Sequence, residues 1–306
     1  MRRLLQLTII LVLVAIPLQS HGSHKPFTET IYEVNSLYQF IMVDEDLMGG
    51  QRYILVNTKK DNPQGGIYID DPDRLMFEYT RLAFTSLVYL DSEPEEVLFV
   101  GLGAGVMPRY FNRFYPDARV DAVEIDPEIF HIAKKYFYFQ EKDNMKVHIM
   151  DGRMYVKRTK KKYDMIFLDA YRGEQIPFHL TTVEFLRELK GRLKKGGVVV
   201  SNILSESNNK YFWSMVKTYR KEFKSLYIFK GKDEGNFIFV AMPGDVHMEN
   251  DVFLARAEKI QLSKGLDIDL KNLPWTYPSW KYGKDSKILT DDFAPVNLYK
   301  EMEIKR

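Results

Sequence analysis

The sequence lacks cysteine altogether, shows no excess of either charge and contains no low-complexity segment. The absence of cysteine excludes a disulfide framework, zinc bound by cysteine and a thiol nucleophile, but it does not fix the compartment. Lys and Arg total 44 against 42 Asp and Glu, a net charge of +2 over 306 residues. That balance excludes a highly basic nucleic-acid coat and an acidic disordered tail, so we expect no nucleic-acid partner and a folded protein of about two domains.

Histidine is also scarce, and its pattern is uninformative. None of the six histidines has the spacing of metal ligands, so we predict no metal site. His179 lies in the loop at 170–182, where a structural role is favoured over substrate contact.

One long apolar run is present, LLQLTIILVLVAIPL at 4–18, directly after Arg2 and Arg3. A basic start followed by about 15 apolar residues is typical of a signal peptide, or of an uncleaved membrane anchor. The run is shorter than the roughly 20 residues that span a bilayer comfortably. The pattern predicts an exported or membrane-anchored protein, with a cytoplasmic location of its body as the alternative.

The remaining chain divides into a strand-rich part and an alternating part. Short β-strands are predicted between 28 and 70, with turns at DEDLMGG and KKDNPQGG, and a helix over 73–90. From 95 onward strands alternate with helices, one of them predicted over 181–197, and the tail from 265 reads as irregular. We predict a leader at 1–25, a β domain with its linking helix at 26–90, and an α/β domain with a mostly parallel, doubly wound sheet at 91–306.

A glycine loop follows the first strand of the alternating part. VLFVGLGAG at 97–105 places Gly101, Gly103 and Gly105 between a strand and a helix. Glycines let a backbone approach a ligand closely. The dinucleotide pattern needs a further glycine where this chain has Val106, so a bare turn is the alternative for this motif alone.

The next three strands end in acidic residues, namely Glu124, Asp151 followed by Gly152, and Asp169. Ligands of an open α/β sheet bind outside the carboxyl ends of its strands. The set suits an adenosine-containing ligand without a pyrophosphate, with Glu124 on the ribose and Asp151 on the adenine amino group. It points to S-adenosylmethionine or a relative.

These motifs resemble the spermidine synthase (polyamine aminopropyltransferase) family over roughly residues 29–242. A family signature, E-x-x-S-x-Y-Q, is present with one shift as Glu33 to Gln39. The nucleoside-site motifs follow in order as VLFVGLGAG, DAVEIDPEI, MDGRMYV and YDMIFLDAY. The resemblance implies a Rossmann-like, S-adenosylmethionine-methyltransferase-like domain behind a small N-terminal β domain.

The resemblance also implies roles for single residues. Gln39 and the glycine loop would contact the donor, Asp169 would be the acid at the reaction centre, and Tyr171 would line the pocket beside it. The donor, S-adenosylmethionine or its decarboxylated form, would be a co-substrate, with no permanently bound cofactor. The acceptor would be a small amine. Relatives commonly form homo-oligomers, and membrane association would run through residues 4–18.

The chain departs from the family pattern on the acceptor side. Ala104 stands where the family has an acidic residue that selects the decarboxylated donor. Arg172 occupies the position of a second acid, and the usual Tyr-His-Glu becomes approximately Phe77-Glu78-Tyr79. Arg172 disfavours a polyammonium acceptor if it faces the pocket. Aminopropyl transfer is therefore the leading prediction, with a methyltransferase and a non-catalytic nucleoside-binding or membrane-partner protein as alternatives.

Overall fold

The computed structural model describes residues 27–48, 51–58, 63–173, 175–231, 235–271, 275–276 and 286–292. The apolar run at 4–18 lies outside these ranges, so the signal or anchor predicted there is not tested. Within the described ranges, no helix is long and apolar enough to cross a membrane.

The N-terminal part is an antiparallel sheet of four strands in chain order. These are β1 (Phe27–Asn35), β2 (Phe40–Met48), β3 (Gln51–Asn57) and β4 (Pro63–Tyr68). The predicted strands are confirmed in place, but the predicted turn at DEDLMGG is largely strand, because β2 continues to Met48.

The turn predicted at KKDNPQGG was also wrong in part, because its last residues begin β4. Gly65 and Gly66 are buried there and pair with Val56 and Leu55 of β3. A side chain at position 65 would press against Ala104 of the glycine loop. These glycines therefore serve close packing between the two parts of the chain rather than a turn.

The linking segment contains two short helices instead of the single helix predicted over 73–90. Helix α1 (Glu78–Ala83) runs directly into a 3₁₀ helix at Phe84–Tyr89, and residues 73–77 are not helical. The 3₁₀ turn is buried along its whole length. Leu82 and Phe84 join the same apolar core as Val97 of the second sheet, so this segment fixes the two sheets together.

The second sheet contains eight strands. They are β5 (Glu96–Val100), β6 (Arg119–Glu124), β7 (Met145–Ile149), β8 (Tyr163–Leu168), β9 (Leu193–Leu204), β10 (Ser225–Lys230), β11 (Asn236–Met242) and β12 (Trp275–Thr276). Their order is β12-β10-β11-β9-β8-β5-β6-β7. Strands β5 to β9 are parallel, whereas β10 to β12 pair antiparallel. The predicted mostly parallel sheet is confirmed.

Helices cover both faces of this sheet. They are α2 (Val106–Phe114), α3 (Pro127–Tyr136), α4 (Gly152–Arg158), a 3₁₀ turn (Phe178–Leu180), α5 (Val183–Lys190), α6 (Phe212–Glu222) and α7 (Asn250–Lys264). Helix α5 ends well before the predicted Gly197, because β9 already begins at Leu193 and pairs with Tyr163. No helix is predicted from the sequence at the positions of α6 and α7.

The chain order reverses at β5, which has β6 on one side and β8 on the other. Phe99 of β5 and Phe167 of β8 stack here with ring centroids 4.6 Å apart. A crevice therefore forms beyond the carboxyl ends of these strands, the usual ligand position in such sheets. The glycine loop, Glu124 and Asp169 all lie at that edge.

Candidate active site

A cavity of about 1140 Å³ lies between the carboxyl edge of the second sheet and the N-terminal sheet. Eight of the nine predicted site residues line it, namely Gln39, Gly101, Gly103, Glu124, Asp151, Gly152, Asp169 and Tyr171. The ninth, Gly105, lies behind the wall against the ring of Phe139 and caps α2. The topology thus brings together side chains from five segments that are distant in sequence.

The glycine loop passes directly under Asp169. Gly101 has a φ of +102°, and a side chain there would collide with the main chain of Asp169. Gly103 also has a positive φ, of +53°, but nothing lies within 4 Å of where its side chain would be. Gly101 is therefore required by the fold itself, whereas Gly103 leaves open space beside the cavity for a ligand.

Glu124 ends β6 and is buried at the base of the cavity. Its carboxylate accepts the main-chain N–H of Leu102 at 3.1 Å and that of Asp126 at 2.9 Å. Burial raises the pKa of Glu124, and these N–H bonds oppose the shift. The carboxylate is thus held by the backbone next to the glycine loop, and its remaining lone pairs can accept hydrogen bonds from a ligand hydroxyl.

Asp151 ends the segment after β7 and caps α4 by accepting the Met154 N–H at 2.9 Å. Its second oxygen lies 2.8 Å from Nε2 of His179. His179 also lines the cavity. The structure therefore places in the site a histidine for which the sequence favoured a structural role, and only its position in the loop after β8 gave any signal.

An ion-pair cluster around the buried Arg153 supports this side of the cavity from behind. The Arg153 guanidinium binds both Glu188 and Asp291 with N–O distances of 2.7 to 2.9 Å. It also donates to the carbonyl of His179 at 3.2 Å. Asp291 further accepts the Thr182 hydroxyl at 2.7 Å. The segment 286–292 is thereby fixed next to the loop that carries His179.

Asp169 follows β8, and its side chain forms part of the cavity wall. It accepts Nδ2 of Asn202 at 2.8 Å and a hydrogen bond from the side chain of Tyr79. Burial raises the pKa of Asp169, and these two bonds oppose the shift. Asn202 in turn accepts Nδ2 of Asn236 at 2.8 Å. Neither asparagine was singled out from the sequence, because only the pairing of β9 with β11 brings them together.

The two residues after Ala170 lie beside this carboxylate. The Tyr171 hydroxyl donates to the carbonyl of Asn202 at 2.9 Å, and burial raises its pKa well above the ordinary value. Arg172 is exposed and lines the cavity, where its Nε donates to the Tyr38 carbonyl at 3.0 Å. The orientation that the sequence left open is therefore toward the cavity, with a cation at its rim.

The turn between β1 and β2 closes the cavity from the N-terminal side. Ser36 donates its hydroxyl to Asp126 at 2.5 Å, and Gln39 accepts the Gly173 N–H at 3.3 Å. This turn therefore contacts both the loop after β6 and the loop after β8. It completes a pocket with an acidic, backbone-lined half and a half built from side-chain amides and phenols. No group of His, Asp and Glu suited to a metal ion occurs among the residues that the structure describes.

The chain is similar to known proteins in both sequence and fold. Residues 76–229 match the family model described as the spermine/spermidine synthase domain. A polyamine aminopropyltransferase from Vibrio vulnificus is 36% identical over 281 residues, which covers 88% of this chain and 91% of that protein. A mouse eEF1A lysine and N-terminal methyltransferase is 29% identical over 188 residues, covering 58% of this chain and 26% of that protein.

Among solved structures, a probable spermidine synthase from Corynebacterium glutamicum is similar with a TM-score of 0.67. The match covers 86% of this chain and 97% of that protein's chain. The sequence identity is 20%, so the similarity concerns the fold alone.

Proposed function

The chain belongs to the spermine/spermidine synthase family, and from this premise we propose that it is a polyamine aminopropyltransferase. The donor is decarboxylated S-adenosylmethionine and the acceptor is a di- or polyamine. The observation that carries the proposal is Asp169, a half-buried carboxylate that lines the cavity directly above the glycine loop.

In this proposal the acidic, backbone-lined half of the cavity binds the donor. Gly103 leaves space for the donor atoms that lie against the main chain of the glycine loop. Gln39 contacts the donor from the side of the N-terminal sheet. Glu124 accepts hydrogen bonds from the ribose hydroxyls, and Asp151 accepts one from the adenine amino group. The donor is consumed in each turnover, so no permanently bound cofactor is needed.

The other half of the cavity holds the acceptor amine beside Asp169. The amine nitrogen attacks the methylene carbon of the donor's aminopropyl chain that is bonded to the sulfonium sulfur. The carbon–sulfur bond breaks, its electron pair stays on sulfur, and 5′-methylthioadenosine leaves while the proton of the amine passes to Asp169. A sulfonium carbon is already electrophilic, so alignment and one proton acceptor supply most of what the reaction needs.

Ala104 supports a second candidate, methyl transfer from ordinary S-adenosylmethionine. Its side chain is buried against Gly65, and it places a methyl group where an acidic residue would repel the donor's carboxylate. The similarity to the mouse methyltransferase is in line with this alternative. Both reactions use the same cavity and differ in the donor carbon that is attacked.

The products separate the two candidates. The full chain is incubated with putrescine or spermidine and either donor, and the products are identified by mass spectrometry. We expect 5′-methylthioadenosine and an amine extended by one aminopropyl group. Formation of S-adenosylhomocysteine and a methylated amine, with no aminopropyl product, would replace this proposal with the second.

The sequence pattern supports two further proposals, and the resemblance to the family supports a third. We propose that residues 4–18 are an export signal or a membrane anchor, that the chain divides into units at 26–90 and 91–306, and that it forms a homo-oligomer. N-terminal sequencing of the fractionated protein tests the first. An intact Met1 on protein recovered entirely from the soluble fraction would contradict it.

A further inference from the structure

Two asparagine amides lie in series behind Asp169. Nδ2 of Asn236 donates to Oδ1 of Asn202 at 2.8 Å, and Nδ2 of Asn202 donates to Oδ1 of Asp169 at 2.8 Å. The three residues come from β11, from β9 and from the end of β8, which are neighbours in the sheet. Both Asn236 and Asn202 line the cavity.

A primary amide has one acceptor end and one donor end of nearly the same shape. Asn202 can therefore present either end to Asp169 without a steric penalty. If its oxygen faced the carboxylate, two acceptors would meet in a buried site, which is costly. The donor from Asn236 holds the Asn202 oxygen on the opposite side, so that the NH₂ group faces Asp169.

We propose that Asn236 is a positioning residue of the reaction centre, because it fixes the orientation of the Asn202 amide and thereby the hydrogen bond to Asp169. The role of this carboxylate as proton acceptor rests on the proposed function. The amide relay, that is, the series of hydrogen bonds from Asn236 through Asn202 to Asp169, does not. Nothing in the relay requires Asn236 to touch the donor.

The relay has a consequence for the charge of Asp169. Burial raises its pKa and the Asn202 hydrogen bond lowers it, so a weaker bond raises the pKa further and less carboxylate is ionised at a given pH. Tyr79 from α1 and Tyr171 from the following loop are the titratable groups that face Asp169. The charged or titratable groups in the rest of the described cavity wall are Tyr38, Glu124, Asp126, Asp151, Arg172 and His179.

The test compares Asn236→Ala, Asn202→Ala and the double variant with the full wild-type chain. In Asn236→Ala we expect the acid limb of kcat/KM to move up by about half to one pH unit, because the hydrogen bond from Asn202 to the ionised Asp169 is weakened and not removed, so only part of its free energy is lost. Donor affinity stays within about twofold. In the Asn202→Ala background the second substitution adds nothing further, because the relay is already broken.

Asn236→Asp keeps the shape of the side chain and reverses its hydrogen bonding. An ionised aspartate accepts from Asn202 and so turns the amide oxygen toward Asp169. We expect the acid limb of kcat/KM to shift further than for Asn236→Ala. In the Asn202→Ala background, we expect only the part of this shift that the added negative charge causes. Asn250→Ala, an exposed asparagine at the start of α7, is the matched control, with no shift expected.

The relay is also measured without turnover, by titration of ¹³C-labelled aspartate carboxyl groups in solution. The signal of Asp169, assigned from Asp169→Asn, gives its pKa in the wild-type chain and in Asn236→Ala. A higher pKa in the variant supports the relay even if no aminopropyl transfer is found, which would refute only the proposed function. An unchanged pKa, or strictly additive effects of the two alanine substitutions, overturns the relay.

Discussion

The donor half and the acceptor half of the cavity hold their carboxylates in different ways. Glu124 and Asp151 are bound by main-chain N–H groups, three in all, from the glycine loop and from the starts of the following helices. Asp169 is bound by the side chains of Asn202 and Tyr79, which come from other parts of the chain. Apart from the contact of His179 with Asp151, the donor half is therefore built by the backbone, whereas the acceptor half is built by side chains.

This difference separates what the fold fixes from what substitution can change. A main-chain donor is present whatever residue occupies the position, so the donor half persists as long as the strands and helix starts do. The acceptor half changes with single substitutions. The departures of this chain from its family at Arg172 and at Phe77-Glu78-Tyr79 lie on that half.

The largest effect is expected for the carboxylate of the acceptor half. Asp169→Asn removes the proton acceptor but keeps the shape of the side chain. Turnover should fall by about 10³-fold or more, while the donor dissociation constant changes by less than about threefold. Steady-state kinetics and donor titration measure the two quantities. A parallel collapse of donor affinity would show that the halves are not separate.

The converse is expected for the donor half. Glu124→Gln places an amide where two main-chain N–H groups require an acceptor, and it removes a charge-assisted bond to the donor ribose. The donor dissociation constant should rise by about 10- to 100-fold, with kcat at saturating donor within a few-fold of wild type. Thermal unfolding provides the control for folding. A loss confined to kcat would place Glu124 at the reaction centre instead.

The smallest effect is expected at the rim. Arg172→Gln removes an exposed cation from the acceptor side, so the KM for a polyammonium acceptor should fall about two- to fivefold, and less so at high salt because exposed charges are screened. Donor affinity and kcat should hardly change. Acceptor titration at two ionic strengths measures this effect, and a raised KM would mean that Arg172 contributes to acceptor binding.

The same contrast explains which parts were predictable from the sequence. The parallel sheet, the glycine loop and the acidic strand ends follow from local patterns in the sequence. Strand β4 was missed because buried glycines look like a turn. The end of α5 was misplaced because strand pairing of Leu193 overrides a helical pattern.

The missed site residues have a common origin. Asn202 and Asn236 are separated by 34 positions and meet only through the register of β9 with β11. His179 and Asp291 reach the donor half through loops whose course no periodicity encodes. Side-chain partners that depend on tertiary register leave no local signal, whereas main-chain partners at strand ends do.

The central claim is that the cavity accepts the decarboxylated donor and an amine. Four acidic side chains, those of Glu124, Asp126, Asp151 and Asp169, line the described wall, and they favour an ammonium group over a carboxylate on the donor. Calorimetric titration of the full chain with both donors tests this most directly. We predict that decarboxylated S-adenosylmethionine binds at least about tenfold more tightly than S-adenosylmethionine. Binding of S-adenosylmethionine alone would contradict the account.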